Sequence, residues 1–236
     1  MGNPYFKFKQ FTITQDQCAM KVSTDSCLFG AWVASIVSRE KTILDIGAGT
    51  GLLSLMIAQH IDAIVHAVEI ETDCYEQLAQ NINSSPWAES IHAFQNDIKE
   101  FDEAIKYDLI ISNPPFYENQ LRSPNKNTNL ARHGDQLSLT ELFAQVERLL
   151  SEAGRFALLM PYYRKEDAIT RATDSGLFAT QVVDVKQTSR HDPFRSMICF
   201  SKTSEKIDHE TTMIRDENGL YSRRFSELLE AYYLHP

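Results

Sequence analysis

Short β-branched runs alternate with helical patterns along most of this chain, and that alternation limits the fold more than any other feature. Strand-like runs fall at Thr42 to Ile46, Ala63 to Glu69, Ile91 to Gln95, Asp108 to Ser112, Arg155 to Met160, Gln181 to Lys186 and Ser196 to Ser201. Helical patterns fill gaps at Leu52 to His60, Thr72 to Ser84, Thr140 to Leu150 and Lys165 to Ser175. A helix between two strands returns the chain to the same end of the sheet, so such strands run parallel. The last two runs are joined only by the short polar link Gln187 to Arg195, which suits an antiparallel hairpin. The expected fold is α/β: a seven-stranded, mostly parallel sheet with an antiparallel last strand and helices on both faces.

At 236 residues the chain is long enough for one large domain with its own core. We expect a single domain over 1–236: an N-terminal flap at 1–40, a catalytic core at 41–204 and a C-terminal appendage at 205–236. The appendage reads as a strand around Thr211 to Arg215, a turn at Asn218-Gly219 and a helix from Ser222 to Tyr233, with Ser222 as N-cap. Apolar stretches such as Phe156 to Met160 fall far short of the ~18 residues a membrane span requires. The N-terminus, MGNPYFKFKQF, builds no secretory h-region. Cys18, Cys27, Cys74 and Cys199 are scattered, with no C-x-x-C pair and no spacing that suggests a disulfide framework or a metal site. These features make the cytoplasm the expected location. Lys and Arg number 23 against 32 Asp and Glu, giving 23 − 32 = −9, so a polyanionic partner would have to be met by a local basic patch.

Asp45-Ile46-Gly47-Ala48-Gly49-Thr50-Gly51 ends one expected strand and opens the next expected helix. Alternate glycines let a backbone turn sharply and approach a ligand closely, although tight packing alone yields a similar composition. Glu69 ends the next strand, 24 residues after Asp45, where an acid can accept both hydroxyls of a ribose; by itself it also reads as a solvated helix start. Asn96-Asp97 ends the third strand, where a carboxylate can receive the exocyclic amine of an adenine or simply cap a helix. The fourth strand exits through Asn113-Pro114-Pro115-Phe116. That could be only a rigid turn. It also supplies two acceptors, the Asn side-chain oxygen and the first Pro carbonyl, for the two hydrogens of a planar amine, with an aromatic ring to stack on its base. Proline pre-sets φ, so the acceptor carbonyl is in position before substrate arrives.

These motifs, in this order on successive strand ends, resemble the Rossmann-like class I S-adenosylmethionine-dependent methyltransferases of the N-P-P-[FY] branch. Within it, Phe8-Lys9-Gln10-Phe11, Cys18-Ala19-Met20-Lys21-Val22, Thr24-Asp25, Gly30-Ala31-Trp32 and Asn81-Ile82-Asn83-Ser84-Ser85-Pro86-Trp87-Ala88-Glu89 are similar to the bacterial tRNA1(Val) adenine-N6 methyltransferase family. The resemblance implies methyl transfer from S-adenosyl-L-methionine to N6 of the adenine at position 37, 3′ of the anticodon of a valine tRNA, without a metal. It implies cofactor binding by Thr24, Asp45, Gly47, Ala48, Gly49, Gly51, Glu69, Asp97 and Asn113, and catalysis by Asn113, Pro114 and Phe116. The N-P-P-[FY] turn also serves guanine-N2 transfer in ribosomal RNA and glutamine-amide transfer in release factors, and DNA adenine is a chemically identical acceptor. A cofactor-binding module without catalysis is a further alternative, against which the intact acceptor turn argues.

Three basic groups are candidates for phosphate contacts: Arg122, Lys126, Arg132 and His133; Lys186, Arg190, His191 and Arg195; and Arg215, Arg223 and Arg224. Lys7, Lys9 and Lys21 lie near the first motif. Tyr162-Tyr163, Tyr232-Tyr233 and Trp87 are read as packing rather than stacking residues.

Overall fold

A computed structural model describes residues 3–18, 20–102, 104–115 and 137–236. The chain opens with a small hairpin of β1 (Tyr5–Lys7) and β2 (Thr12–Thr14), followed by helix α1 (Thr24–Ile36). Then come β3 (Thr42–Ile46), α2 (Leu52–His60), β4 (Ile64–Glu69), α3 (Thr72–Asn83), β5 (Ile91–Gln95) and β6 (Tyr107–Ser112). The remainder is α4 (Leu139–Leu149), β7 (Leu150–Pro161), a short 3-10 turn, α5 (Lys165–Asp174), β8 (Phe178–Lys186), β9 (Pro193–Ser201), β10 (Asp208–Met213) and α6 (Arg223–Leu229).

Eight strands form the main sheet in the order β10-β8-β9-β7-β6-β3-β4-β5. All neighbours pair in parallel except β9, which is antiparallel to both β7 and β8. The seven expected strands and the terminal hairpin are therefore present. The eighth strand comes from the appendage: β10 lies parallel beside β8, three residues earlier than the expected Thr211 to Arg215. Its place follows from the sheet, because without β10 the outer backbone of β8 would be an unpaired edge.

Side chains alternate across the sheet. Ile43, Leu109, Ile111, Ala157 and Leu159 join one buried cluster with α1, α2, α3 and α6. Leu44, Ile46, Ile110, Phe156 and Leu158 join a second with α4 and α5. With both faces covered, the central strands have no polar side to display, which is why they read as continuous apolar runs.

Two features differ from expectation. Helix α1 lies where only an N-terminal flap is expected, and its residues from Ser26 to Ala34 are buried. Cys18 and Cys74 are joined by a disulfide, although they stand 56 residues apart with no spacing signal. The bond ties the segment after β2 to the first turn of α3. Gln77 and Asn81, one turn apart on α3, reinforce it. Gln77 accepts the Gln17 and Cys18 N–H groups through Oε1 and donates from Nε2 to Asp16. Asn81 accepts the Thr14 N–H and donates to the carbonyls of Thr14 and Thr50.

Candidate active site

β3, β4, β5 and β6 are adjacent and parallel, so their carboxyl ends present the sequence-marked residues along one edge. The order reverses between β3 and β6, the kind of crevice where open α/β sheets bind ligands. Ile46 pairs with both Val68 and Ser112, which sets Gly47, Glu69 and Asn113 at the next level on three neighbouring strands.

Gly47, Gly49 and Gly51 adopt φ of 70°, 55° and 83°, a region that side chains other than glycine rarely enter. Their surroundings separate their tasks. A Cβ on Gly51 would stand 2.7 Å from Leu78 of α3, so this glycine permits close helix packing. A Cβ on Gly47 would meet nothing within 4 Å, and one on Gly49 only Cys18 Sγ at 4.0 Å. The first two turns thus leave an open cradle, the feature a bound nucleoside cofactor needs. The Gly47 and Ala48 N–H groups donate to the Val68 carbonyl, holding the turn against β4.

Asp45 lies beneath the cradle, fully buried. Its Oδ2 accepts from the Ser54 N–H at 3.1 Å and the Ser54 hydroxyl at 2.7 Å, while Oδ1 has no partner. Burial pushes its carboxyl up to about 7, against the lowering effect of Ser54 and with the Glu69 charge adding to the rise. Glu69 is also buried; its Oε2 accepts the Gly49 N–H at 2.8 Å and its Oε1 those of Ile70 and Glu71. One carboxylate therefore joins the glycine turn to the start of α3. Asp97 follows β5, half-buried; its Oδ1 accepts the Lys99 N–H and its Oδ2 pairs with the Lys99 ammonium. In this geometry Asp97 caps a turn.

At the end of β6, the Ser112 hydroxyl donates to the Ile46 carbonyl at 2.9 Å and locks the exit beside the glycine turn. Asn113 is half-buried and donates from Nδ2 to Ser26 Oγ of α1 at 3.1 Å. Pro114 is half-buried and Pro115 exposed. Phe116 lies outside the described residues, as do Arg122, Lys126, Arg132 and His133. Thr24 is exposed in the first turn of α1. Its neighbour Asp25 accepts from Arg195 at the start of β9 at 2.8 Å, so α1 spans from β6 to β9 over this edge.

A profile of the methyltransferase small domain matches residues 30–160, more than half of the chain. The chain belongs to that family. Among its relatives are proteins named tRNA1(Val) (adenine(37)-N6)-methyltransferase. That of Parabacteroides distasonis is 41% identical over 99% of each chain, and that of Phocaeicola vulgatus is 39% identical over 99% of each. Solved structures share the fold at low identity. A predicted O-methyltransferase from Agrobacterium tumefaciens superposes with TM-score 0.64 at 15% identity, over 86% of this chain and 95% of that one. The CcbJ methyltransferase from Streptomyces caelestis gives 0.56 at 12% identity, over 77% of this chain and 96% of that one.

Other members of the second and third basic groups stand at this same edge of the methyltransferase sheet. Lys186 ends β8, Arg190 sits in the turn to β9, and Arg215 follows β10. Arg215 lies 4.8 Å over the Tyr221 ring, and Arg223 is paired with Glu227. Tyr232 and Tyr233 are buried and Trp87 packs on the core, as expected; Tyr163 instead is 66% exposed just beyond β7. Sequence reasoning missed the Ser26 contact, since nothing in the spacing of Ser26 and Asn113 pairs them. It also missed Gln77, which stands one turn before Asn81 on the buried side of α3. A cavity of about 540 Å³ lies at the opposite end of the sheet, lined by Lys106, Arg148, Glu152 and Lys202 among others. Its cations are engaged: Lys106 with the Arg148 carbonyl, Arg148 with those of Ile98 and Phe101, and Lys202 with Glu152.

Proposed function

We propose that this methyltransferase transfers the methyl group of S-adenosyl-L-methionine to N6 of adenine 37 in tRNA1(Val), a reaction performed in the cytoplasm. The observation that carries the reading is the neighbouring placement of an open glycine cradle on β3 and an Asn-Pro exit on β6, in a chain 41% identical to a protein named for this activity.

Gly47, Ala48 and Gly49 form the cradle, with Gly51 seating it on α3 and Asp45 bracing it from below. Glu69 would hold the ribose hydroxyls, Asp97 the adenine amine, and Thr24 the methionine end. When bound, S-adenosyl-L-methionine supplies a methyl group on a sulfonium and leaves as S-adenosyl-L-homocysteine. The acceptor amine is a poor nucleophile because its lone pair is delocalised into the purine. Asn113 Oδ1 and the Pro114 carbonyl would each accept one amine hydrogen, which would turn the lone pair toward the cofactor's methyl group, and the proton the amine sheds on methylation would pass to solvent. Phe116 would stack on the base, fixing its plane. Adenine 37 lies in a loop, so its presentation costs less than extraction from a duplex. Lys186, Arg190 and Arg215 would meet phosphates around it.

The test is incubation of the purified protein with methyl-labelled cofactor and tRNA from cells lacking the gene, followed by nucleoside analysis. Label is expected as N6-methyladenosine in a valine tRNA. Label appearing instead in ribosomal guanine, in a protein glutamine or in DNA would identify one of the other planar-amine acceptors.

A further inference from the structure

An asparagine amide has two ends of nearly equal shape, and only one accepts hydrogen bonds. For Asn113 to orient a substrate amine, Oδ1 must face the cleft and Nδ2 must be held elsewhere. A half-turn of the amide would aim a donor at a donor.

α1 supplies the holding group. Ser26 is buried, and its Oγ lies 3.1 Å from Asn113 Nδ2 and 2.7 Å from Ser23 Oγ. Ser23 is the N-cap of α1 and accepts the Ser26 N–H at 3.3 Å. The Asp25 to Arg195 ion pair fastens the same turn to β9, so the serine pair stands on a clamped helix end. We infer that Ser26 is a positioning residue for methyl transfer. Its Oγ accepts an Asn113 Nδ2 hydrogen, passes its own hydrogen to Ser23 Oγ, and so leaves Asn113 Oδ1 directed at the substrate amine. In this role the serine acts through Asn113.

This inference rests on the amine-orienting role proposed for Asn113, and a double-mutant cycle separates the two. Single-turnover rates would be measured at saturating tRNA and cofactor for the wild type, Ser26→Ala, Ser26→Thr, Asn113→Ala and the Ser26→Ala/Asn113→Ala double variant. Ser26→Ala is expected to slow transfer about tenfold, since misorienting a reacting group costs rate rather than binding, with both substrate affinities within about twofold of wild type. Ser26→Thr keeps the hydroxyl and should keep most of the rate. In the Asn113→Ala background, removing Ser26 should cost nothing further. Alanine leaves the Ser23 cap on the residue-26 N–H in place, so the variant should fold, with a modest drop in melting temperature from the two side-chain hydrogen bonds removed. An undiminished Ser26→Ala rate, an equal loss in both backgrounds, or a loss confined to affinity would overturn the positioning role while leaving Asn113 its own. A near-normal rate for Asn113→Ala would instead remove the reading on which the inference rests.

Discussion

Asp45 and Glu69 were both legible as strand-end acids, yet their settings differ in ways that spacing does not encode. The Asp45 carboxyl is raised to about 7 mainly by burial, so between its ordinary value of 3.8 and about 7 the folded protein holds a proton that the unfolded chain has lost. Its contribution to stability is therefore complete below about pH 4 and is lost as pH rises through 7. About three units at 1.36 kcal/mol each puts the swing on the order of 4 kcal/mol. Chemical denaturation should show stability falling between about pH 4 and 7 in the wild type and a flatter profile in Asp45→Asn; equal slopes would show that Asp45 is ionised over that range. Glu69 carries a different prediction. Loss of charge-assisted bonds worth roughly 1.5–3 kcal/mol each should weaken cofactor binding at least tenfold in Glu69→Ala. Calorimetry finding unchanged affinity in a folded variant would take Glu69 out of the cofactor site. The hydrogen bond that Glu69 accepts from the Gly49 N–H was not legible, because it depends on how two loops from different strands converge.

Among the elements, the parallel strands were readable as short apolar runs, helices α3, α4 and α5 by their periodic burial, and Ser222 capping α6 by a local signal. Elements fixed by long-range contact were not. α1 is apolar all round, and the Cys18 to Cys74 bond joins segments that only the folded sheet brings together. Closing a loop of 56 residues limits the unfolded chain by about 4 kcal/mol in the chain-entropy account, with 2–4 typical of measured disulfides. Cys74→Ser should therefore be less stable than wild type under oxidising conditions, and the two should melt alike in excess dithiothreitol. A wild type indifferent to reductant would show that the pair does not close in solution. Because Cys18 Sγ is the nearest atom to a Cβ built on Gly49, the same comparison made with cofactor present shows whether the bond also steadies the cradle.

Over the whole molecule, net charge −9 sets the terms on which a nucleic acid can approach. Under the proposed function, attraction would come from local basic groups, among the described residues Lys186, Arg190 and Arg215 at one edge of the sheet, and it should be sensitive to salt. Replacing Lys186 and Arg190 by alanine should lower tRNA affinity and flatten the log–log salt dependence by roughly 0.7–0.9 for each phosphate contact removed. Folding stability should change little, since Arg190 is exposed and Lys186 stands half-buried at a strand end. Wild-type affinity at every salt concentration would shift the contact surface elsewhere. The linear chain named these cations but could not gather them; two strand ends and a turn do that. The same closure joins the two extremities of the fold. The Lys9 N–H donates to the Tyr232 carbonyl, the Lys9 ammonium to that of Glu230, and the Phe6 and Phe8 rings pack beside Tyr233. Lys9 and Glu230 are 221 positions apart, so at roughly 5–20 residues per second a nascent chain leaves the ribosome with its first hairpin uncovered for about 10–45 s. Until the segment after the last helix is made, Phe6 and Phe8 lack the cover of Tyr233, so a chain ending before residue 230 leaves that side of the hairpin exposed.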